Sequence, residues 1–471
     1  MLRASAAAEA GGIPSSSIVA EGFMGQAAAC SMGLGMPDLP LALLPGHPAV
    51  QATAVLQKNI LGITIDRVIQ NLTATAADHF GKDDEPSDCE IVFSGSHDEV
   101  NEFFRTRQWS DSLPIVPPTK AKIEAFLGFT DRKPAEVLGI VLPDNRAATV
   151  RSIAVNGVMA GCRPEYMPIL VALVQAMLDP EYGVEHSGST PGSDTLIILN
   201  GPIIKQLGFN YGQGVLRDGV LPNTSIGRFW RLYLRNVAGF LIGGNDKATY
   251  GGTWRVVLAE NEDVLKKIGW PPNNVGMGFE SSDNTVLIQR YSGGNPLSSV
   301  SGTTPEELLT YVADGVTREH TWQLMFAVGS HGGGALRPLI LLSPLLAEMI
   351  AAAGWSKQDV KEFLFQKARI PAWQFERILR DWTNRKVWNL AEEVRLGHIP
   401  KFYYESDDPD RLVPIAWEAD DFLVAVTGDP LRNTAYVFAA NGPIGYAVAS
   451  KIELPADWDE KLAAAKNTRA Q

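Results

Sequence analysis

The sequence predicts an α/β protein in which a small parallel α/β domain at the N-terminus precedes a larger α/β (α+β) domain. Three observations lead to this prediction. The length of 471 residues exceeds the roughly 150 residues of an average domain. An apolar content of 45% and a charged content of 20% are those of an ordinary globular protein. Short β-branched runs alternate with helical patterns early in the chain, and such alternation is typical of parallel sheets.

The expected domain boundaries follow from local composition. Residues 78–90 are acidic and contain Gly and Pro, which indicates a linker. It would separate a domain of residues 1–77 from a main domain of residues 91–340. Residues 341–471 are then expected to form a helical and β segment that packs on the main domain.

The N-terminal domain is predicted to contain two strands that are each followed by a helix. The strands are expected at 13–20 and 39–44, and the helices at 22–33 and 50–72. Residues 1–12 are typical of the end of a helix that stops at two glycines. The chain is therefore expected to lack an earlier part of this domain.

The main domain and the C-terminal segment are predicted from apolar runs between turn residues. Strands are expected at 149–155, 195–199, 254–258, 286–289, 324–328, 339–342, 420–427 and 434–439. Helices are expected at 96–108, 120–127, 167–178, 228–237, 344–354 and 356–367. The last of these helices is predicted to begin after a Ser cap at Ser356.

Charge and cysteine content narrow the classes of function. A net charge of -12 argues against nucleic-acid binding, which uses a basic surface, and against anionic membranes. Three cysteines are too few for a disulfide framework or a zinc site, and they predict a protein of the reducing cytoplasm. No run of 18 apolar residues and no secretory h-region occur, so neither a membrane span nor a secretory signal is expected. Two or three histidines could meet in space as metal ligands, but the seven histidines are spread along the chain, so no metal site is predicted.

The turn around Cys162 is the first candidate for chemistry. Gly161, Cys162, Arg163 and Glu165 precede the predicted helix 167–178, and a thiol at a helix N-terminus beside a cation has a lowered pKa. Cys162 would be a nucleophile or redox group, Glu165 a proton carrier and Arg163 an anion contact. Asn156, upstream in the same segment, is a further substrate-binding candidate. Alternatively, Cys162 is a buried apolar side chain, and Arg163 and Glu165 pair locally.

The glycine-rich run 329–334 is the second candidate. Successive glycines after a strand let backbone N–H groups converge on an anion. His331 would act as acid or base, and the predicted substrate contacts are Ser330, Gly332, Gly333 and Arg337. The alternative is a turn with a solvated histidine. The spacing fits neither the phosphate-loop nor the dinucleotide fingerprint.

A hydroxyl-rich loop at residues 186–194 is the third candidate. His186, Ser187 and Thr190 precede a predicted buried strand, and loops of this kind often bind ligands on a rigid scaffold. As a plain turn, the loop would need no ligand.

Two long blocks carry a resemblance to a known family. The segments 12–14, 18–23 and 34–40 (Gly-Ile-Pro, Ile-Val-Ala-Glu-Gly-Phe and Leu-Gly-Met-Pro-Asp-Leu-Pro) resemble the C-terminal part of the UGSC-motif (seleno)protein family. More distantly, the strand–helix–strand pattern followed by His47-Pro48 resembles the substrate-specific selenoprotein B subunits of glycine-reductase-type systems, and the resemblance covers about residues 1–75. The resemblance implies a redox motif, selenocysteine or cysteine followed by Gly-Ser-Cys, upstream of this block. The chain begins after that place, which implies a truncated gene start, a split subunit or a degenerate domain.

The segments 112–119 and 158–166 resemble the larger uncharacterised protein found with UGSC proteins. This second resemblance covers the chain from about residue 110 onward. Together the two resemblances imply a two-component system fused in one chain, and they imply no named substrate.

These observations favour an enzyme that performs thiol-dependent chemistry, either redox or C–S or C–N bond cleavage, on a small anionic organic molecule. One alternative is a non-redox lyase or hydrolase that uses Glu165 and His331. A further alternative is a non-catalytic subunit that binds a thiol or selenol redox partner carrying the Gly-Ser-Cys motif. The sequence indicates no particular cofactor, and it leaves the oligomeric state open.

Overall fold

A computed structural model of the protein describes residues 2–48, 50–74, 89–321, 336–383, 389–440 and 446–470. The fold is mixed α/β, with 44% helix and 16% strand, and its largest sheet has seven strands of mixed direction. The predicted α/β class is therefore confirmed. Of the predicted linker 78–90, only residues 89 and 90 are described. The predicted strand 324–328 and the glycine-rich run 329–334 lie wholly outside the described residues.

The N-terminal segment is a small unit built on two parallel strands. Ser17 pairs with Leu41 and Ala20 with Leu44, which confirms the predicted parallel arrangement. Its apolar cluster is small and centres on Ala6, Met36 and Leu39. The elements in chain order are α1 (Leu2–Ala10), β1 (Ser17–Ala20), α2 (Met24–Gly33), β2 (Leu41–Leu44), α3 (Thr53–Asn59) and α4 (Ile65–Thr73).

The predicted helix 50–72 is interrupted in the structure. A π-helical turn, Ile60–Thr64, separates α3 from α4. The hydroxyl of Thr64, a buried residue, donates a hydrogen bond of 2.9 Å to the carbonyl of Leu43 in β2. The wider turn lets this side chain reach the strand, a tertiary contact that apolar periodicity does not encode.

The rest of the described chain forms one large α/β assembly. Its first half contains α5 (His97–Thr106), α6 (Lys120–Leu127), β3 (Val137–Val141), β4 (Arg146–Thr149), α7 (Val150–Met159), α8 (Met167–Met177), β5 (Asp194–Asn200), α9 (Ile203–Gln206), α10 (Leu221–Asn236), β6 (Val257–Ala259), α11 (Glu262–Ile268), α12 (Asn273–Gly276) and β7 (Thr285–Leu297). Its second half contains α13 (Pro305–Thr321), β8 (Leu339–Leu342), α14 (Pro344–Ala352), α15 (Lys357–Lys367), β9 (Arg369–Pro371), α16 (Ala372–Thr383), α17 (Leu390–Arg395), β10 (Leu412–Pro414), β11 (Leu423–Val426), β12 (Ala435–Ala440), β13 (Val448–Lys451) and α18 (Trp458–Ala470).

The main sheet has the strand order β11-β8-β12-β7-β5-β6, and β13 also pairs with β7. β5 and β6 are parallel, as are β8 and β11, and the other pairs are antiparallel. The sheet includes strands from both sides of residue 340, so the two predicted segments share it. β11 and β12 follow each other in the chain, as expected, but β8 lies between them in the sheet.

Alternate residues of the strands pack into different apolar clusters. Ile197 and Leu199 of β5 belong to the cluster that contains residues of α7, α8 and α10. Leu196 and Ile198 belong to a separate cluster with Tyr291 and other inward-facing strand residues. The period of two in β5 therefore places apolar side chains on both faces of a fully buried strand.

The strand predicted at 149–155 is wrong, because these residues belong to helix α7. Thr149 caps the helix by accepting a hydrogen bond of 2.9 Å from the Ser152 N–H. Val150, Ile153, Ala154 and other apolar residues of the helix are buried. Their spacing fits a helix that is apolar on most sides, and short apolar runs do not distinguish that case from a strand.

The edges of the main sheet meet at a buried carboxylate. Glu260 follows β6 and is fully buried. Its Oε2 accepts hydrogen bonds from Asn200 Nδ2 (2.7 Å) and the Asn273 N–H (2.9 Å). Its Oε1 accepts from Asn273 Nδ2 (3.2 Å), Lys357 Nζ (3.3 Å) and the Val426 N–H (3.4 Å). One carboxylate thus joins β5, α12, α15 and β11.

Backbone contacts reinforce this junction. The Asn261 N–H donates to the Val426 carbonyl at 2.7 Å, and Thr427 Oγ1 donates to the Ala259 carbonyl at 2.9 Å. Because β6 and β11 stand at the two ends of the strand order, these contacts bring the two ends of the sheet together. Burial lowers the pKa of Lys357, and the charge of Glu260 opposes that effect.

We expect Lys357→Met and Glu260→Gln each to lower the free energy of unfolding by about 3 kcal/mol, because each change leaves a buried partner unmatched. The double variant should lose less than the sum of the two single losses. Urea unfolding of the four proteins measures this coupling. Lys267→Met, which breaks the exposed pair with Glu348, is the control and should cost less than about 1 kcal/mol. Additive losses would show that the pair is not coupled.

His320, in the last turn of α13, is fully buried. Its Nδ1 lies 2.8 Å from the Val316 carbonyl, and its Nε2 accepts the Ala440 N–H at 3.1 Å. Nδ1 therefore carries the proton, and the ring is neutral. Burial lowers the pKa of His320 to about 4, although the hydrogen bond to Val316 acts in the opposite direction.

Because the folded-state pKa of His320 is depressed from 6.5 to about 4, the unfolded chain binds the extra proton first as pH falls. The contribution of His320 to stability is complete above about pH 6.5, and about 3 kcal/mol is lost between there and about pH 4. His320→Gln can keep both hydrogen bonds and does not titrate. Its free energy of unfolding should therefore not show this fall between about pH 6.5 and about pH 4. Urea unfolding across the pH range compares the two proteins, and equal slopes would contradict the prediction.

Candidate functional site

The turn that carries Cys162 connects two packed helices. α7 ends at Met159, and Gly161 adopts a φ of 79°, a left-handed conformation that favours glycine. The Cys162 N–H donates to the Gly157 carbonyl at 3.1 Å. A 3₁₀ turn, Pro164–Tyr166, then leads into α8. The predicted tight turn before a helix is confirmed.

The predicted lowering of the Cys162 pKa is wrong. Cys162 is only 9% exposed and belongs to the apolar cluster of α7, α8 and α10. Burial raises its pKa to about 12, and a hydrogen bond with Ser225 and the charge of Arg228 only partly oppose this. The 3₁₀ turn separates the thiol from the start of α8, so the helix N-terminus does not stabilise a thiolate. Cys162 is therefore a protonated thiol at neutral pH.

Glu165, three residues after Cys162, is buried, and only one of its carboxylate oxygens has a partner among the described residues. The carboxyl group is 2% exposed, and its Oε1 forms an ion pair with Arg469 of α18. Its Oε2 is buried and has no hydrogen-bond partner among the described residues. Sequence reasoning missed Arg469 as a partner of Glu165, because 304 positions separate the two residues.

Tyr166 is the residue of this turn that the sequence-based hypothesis omitted. Its side chain is 1% exposed, and its hydroxyl has no hydrogen-bond partner among the described residues. Burial raises the pKa of Tyr166 to about 12, and the charge of Arg163 lowers it, whereas those of Glu165 and Cys162 raise it. The hydroxyl is thus a protonated donor, and no acceptor for it lies among the described residues.

Cations surround the turn. Arg163 is half-buried, and its side chain forms no hydrogen bond or ion pair with any residue that the structure describes. Near Cys162, Arg228 donates from Nε (3.1 Å) and Nη2 (2.8 Å) to Asp111, and Arg255 Nη1 lies 3.7 Å from the same carboxylate. Burial raises the pKa of Asp111, but the hydrogen bonds and charge of Arg228 outweigh it, so the pKa is lowered overall. The turn therefore lies in a positive environment within an acidic protein.

Asn156 lies in the middle of α7 and already has protein partners. Its Nδ2 donates to the Ser152 carbonyl at 2.9 Å, and its Oδ1 accepts from Asn236 Nδ2 at 2.8 Å. These contacts join α7 to α10. They account for its burial without a ligand.

His186, Ser187 and Thr190 lie in a different place from the Cys162 turn. The Thr190 carbonyl accepts the Thr249 N–H at 3.1 Å, so the loop pairs with a second loop. Ser187 Oγ accepts from the buried Arg290 at 3.4 Å. Burial lowers the pKa of His186, while the charge of Glu185 raises it. Among the described contacts, none joins this cluster to Cys162.

Arg337 forms a third group. Its Nε lies 3.8 Å from Asp421 Oδ1, and its guanidinium stacks on the Tyr446 ring at 4.6 Å. Burial raises the pKa of Asp421 to about 6, although two backbone N–H groups hydrogen-bond the carboxylate. The sequence-based hypothesis did not include Asp421. Ser330, His331, Gly332 and Gly333 lie outside the described residues.

The predicted site residues that the structure describes thus fall in separate places. Among the described residues, only the 161–166 turn combines an acid and a hydroxyl that lack partners with a cation that lacks a counter-ion. Across the described ranges, no helix is long and apolar enough to cross a bilayer. The same ranges contain no group of three or more His, Cys, Asp and Glu side chains placed to hold a metal ion.

Comparisons with protein-family models, curated proteins and solved structures found no match to this chain.

Alkylation with iodoacetamide tests the state of Cys162. Cys89 is exposed and Cys30 is half-buried, so both should react in the folded protein. A pKa of about 12 instead of 9.0 makes the thiolate fraction of Cys162 about a thousandfold lower, and burial slows the reaction further. Mass spectrometry of the peptides should show Cys162 labelled only after unfolding in urea. Labelling of Cys162 at the rate of Cys89 in the folded protein would contradict the prediction.

Proposed function

We propose that the protein is an enzyme that binds a small anionic organic molecule at the 161–166 turn and moves a proton on it. The reaction would be of a non-redox type, as in a lyase or hydrolase. The observation that carries the proposal is the pair of buried, unmatched polar atoms, Glu165 Oε2 and the Tyr166 hydroxyl, beside an unpaired cation. Buried polar groups in proteins are almost always hydrogen-bonded, so a bound molecule is the natural partner for these two.

The charges at the turn favour an anionic ligand. Arg163 has no described counter-ion, and Arg469 and Arg228 lie on the two flanks of the turn. A guanidinium group binds a carboxylate or phosphate through two parallel hydrogen bonds. In a chain of net charge -12, such a cluster of cations gives an anion a local binding site.

The two unmatched groups have complementary roles in proton transfer. Arg469 fixes the Glu165 carboxylate through Oε1 and leaves Oε2 to accept a proton from the bound molecule. The Tyr166 hydroxyl would donate a hydrogen bond to the oxygen on which the negative charge then develops. The proton moves from substrate to Glu165, and the electron pair stays on the substrate.

Thiol-dependent chemistry at Cys162 is the competing proposal. The buried position and the pKa of about 12 favour proton transfer over thiolate attack, because the thiolate is the reactive form. Cys162→Ser separates the two: full activity supports proton transfer, and loss of activity in a folded protein supports the thiol.

The cellular setting that we propose is the cytoplasm. Cys30, Cys89 and Cys162 are all free thiols, which suits a reducing compartment. The negative net charge further favours small-molecule substrates over nucleic acid.

Three substitutions test the site, each removing one group: Arg163→Met, Glu165→Gln and Tyr166→Phe. Succinate, malate and inorganic phosphate serve as probes in titration calorimetry, and ¹H NMR in D₂O follows exchange of carbon-bound protons. Arg163→Met should weaken binding of a probe about tenfold or more. Glu165→Gln should slow exchange about 10²-fold or more while binding persists. Arg151→Met, which removes an arginine paired with Glu124, is the matched control. Unchanged binding and exchange in all three variants would refute the proposal.

Tyr166→Phe also distinguishes a ligand site from a purely structural one. Removing a buried hydroxyl without a partner should raise the free energy of unfolding by about 1 kcal/mol, whereas affinity for the probe should fall. Thermal unfolding and calorimetry on the same samples measure both effects. A loss of stability would mean that the hydroxyl is already matched within the protein.

A further inference from the structure

Three arginine side chains gather around one carboxylate beside helix α10, and we call these four residues the arginine cluster. Arg228 donates to both oxygens of Asp111, from Nε at 3.1 Å and from Nη2 at 2.8 Å. Arg255, which precedes β6, places Nη1 3.7 Å from the same carboxylate. Arg235 lies two helical turns after Arg228 on α10, near enough for the charge of Asp111 to act on it. Three positive charges and one negative charge leave the cluster with an excess of two positive charges.

Two of the three arginines have donors that the protein does not use. Arg235 Nε donates to the Gln108 carbonyl at 2.6 Å, and neither Nη atom has a hydrogen-bond partner among the described residues. The Arg255 side chain makes no hydrogen bond to any residue that the structure describes. Burial lowers the pKa of Arg235, although the charge of Asp111 raises it. Arg235 is thus a half-buried cation whose terminal donors are available for an acceptor.

A neighbouring arginine shows how this fold matches a buried guanidinium group. Arg231, on the same helix, places Nη1 3.2 Å from Asp194 Oδ1 and Nη2 3.7 Å from Asp246 Oδ2. It therefore has two carboxylates of its own. Arg235 and Arg255 have no comparable pair within the described part of the chain. In a protein of net charge -12, this local excess of positive charge favours the binding of an anion.

The loop that carries the carboxylate is fixed against α10 at both ends. Arg228 Nη2 donates to the Pro114 carbonyl at 2.9 Å, and Arg235 holds the other end through the Gln108 carbonyl. Gln108 and Ser112 have φ angles of 59° and 69°, in the left-handed region that favours glycine. Such conformations persist where the surrounding structure fixes them. The donors are therefore oriented before a ligand arrives, which lowers the entropy cost of binding.

We propose that the arginine cluster binds the phosphate group of a small phosphate monoester, and that Arg235 and Arg255 donate to its oxygens. A phosphate monoester carries about -1.5 to -2 charges at pH 7. That charge matches the excess of two positive charges, whereas a monocarboxylate would neutralise only one of them. Guanidinium groups bind phosphate through parallel hydrogen bonds. This inference does not rest on the proposed function, because Arg235 and Arg255 lie outside the 161–166 turn.

Titration calorimetry with inorganic phosphate and with acetate tests the site. The parent protein is the full chain with Arg163→Met, which removes the anion contact of the 161–166 turn from the measurement. Arg235→Gln and Arg255→Gln, each added to this parent, should weaken phosphate binding about tenfold or more. Acetate should bind to the parent about tenfold or more weakly than phosphate, because it carries less charge.

A matched control removes the same charge elsewhere. Arg318→Gln breaks an exposed ion pair with Asp314 and should leave phosphate binding unchanged. Because Arg255 is exposed, Arg255→Gln keeps the test valid if Arg235→Gln does not fold. Unchanged phosphate affinity in the folded variants overturns the proposal. So does a parent that binds no phosphate, which is the result expected if an acidic part of the chain outside the described ranges neutralises the cluster. Acetate that binds as tightly as phosphate overturns the assignment to a phosphate group.

Chemical modification locates the bound anion in the wild-type protein. Phenylglyoxal reacts with guanidinium groups, and mass spectrometry of the peptides measures the reaction at each arginine. With phosphate at about ten times its Kd, modification of Arg235 and Arg255 should slow about tenfold, because about nine in ten sites are then occupied. Arg318 should react at an unchanged rate. Protection of Arg163 alone would place the anion at the 161–166 turn, which would overturn this inference and support the proposed function.

Discussion

The closure of the main sheet depends on one buried carboxylate. Glu260 bonds to side chains and backbone groups from β5, α12, α15 and β11, so it holds edge strands that are far apart in the sheet order. A buried charge is costly unless it is fully paired, and each oxygen of Glu260 has at least two donors. The requirement to satisfy this carboxylate therefore fixes the positions of Asn200, Asn273 and Lys357 at one end of the sheet.

This closure positions the candidate site through β6 and α10. Asn223 Nδ2 of α10 donates to the Val257 carbonyl of β6 at 2.8 Å. At Gly227 an added Cβ would lie 2.3 Å from the backbone of Arg255, so the helix approaches the chain before β6 as closely as glycine allows. That approach places Ser225 and Arg228 of α10 beside Cys162. The turn is buried because the helices that flank it are anchored to the sheet.

Local signals in the sequence predicted much of the fold but little of the site. Helix 120–127, strand 339–342 and the Ser356 cap were predictable because their causes lie within a few residues: apolar runs and a side chain that caps its own helix. The turn at Gly161 was predictable for the same reason. The raised pKa of Cys162 was not, since it comes from burial against α10. Arg469 reaches Glu165 only through the tertiary fold, and Asp421 reaches Arg337 in the same way.

The 161–166 turn is one of several places where buried side-chain polar atoms lack a partner among the described residues, and it is the place where two such atoms lie on adjacent residues. The chain brings Arg469 across 304 residues to pair one oxygen of Glu165, and it supplies two backbone donors to Asp421. The same fold leaves Glu165 Oε2 and the Tyr166 hydroxyl, on adjacent residues, without a hydrogen-bond partner among the described residues. Each unmatched buried group costs about 1–3 kcal/mol. Two such costs at one turn, beside an Arg163 side chain without a described counter-ion, are the reason why we propose that a ligand binds all three groups together.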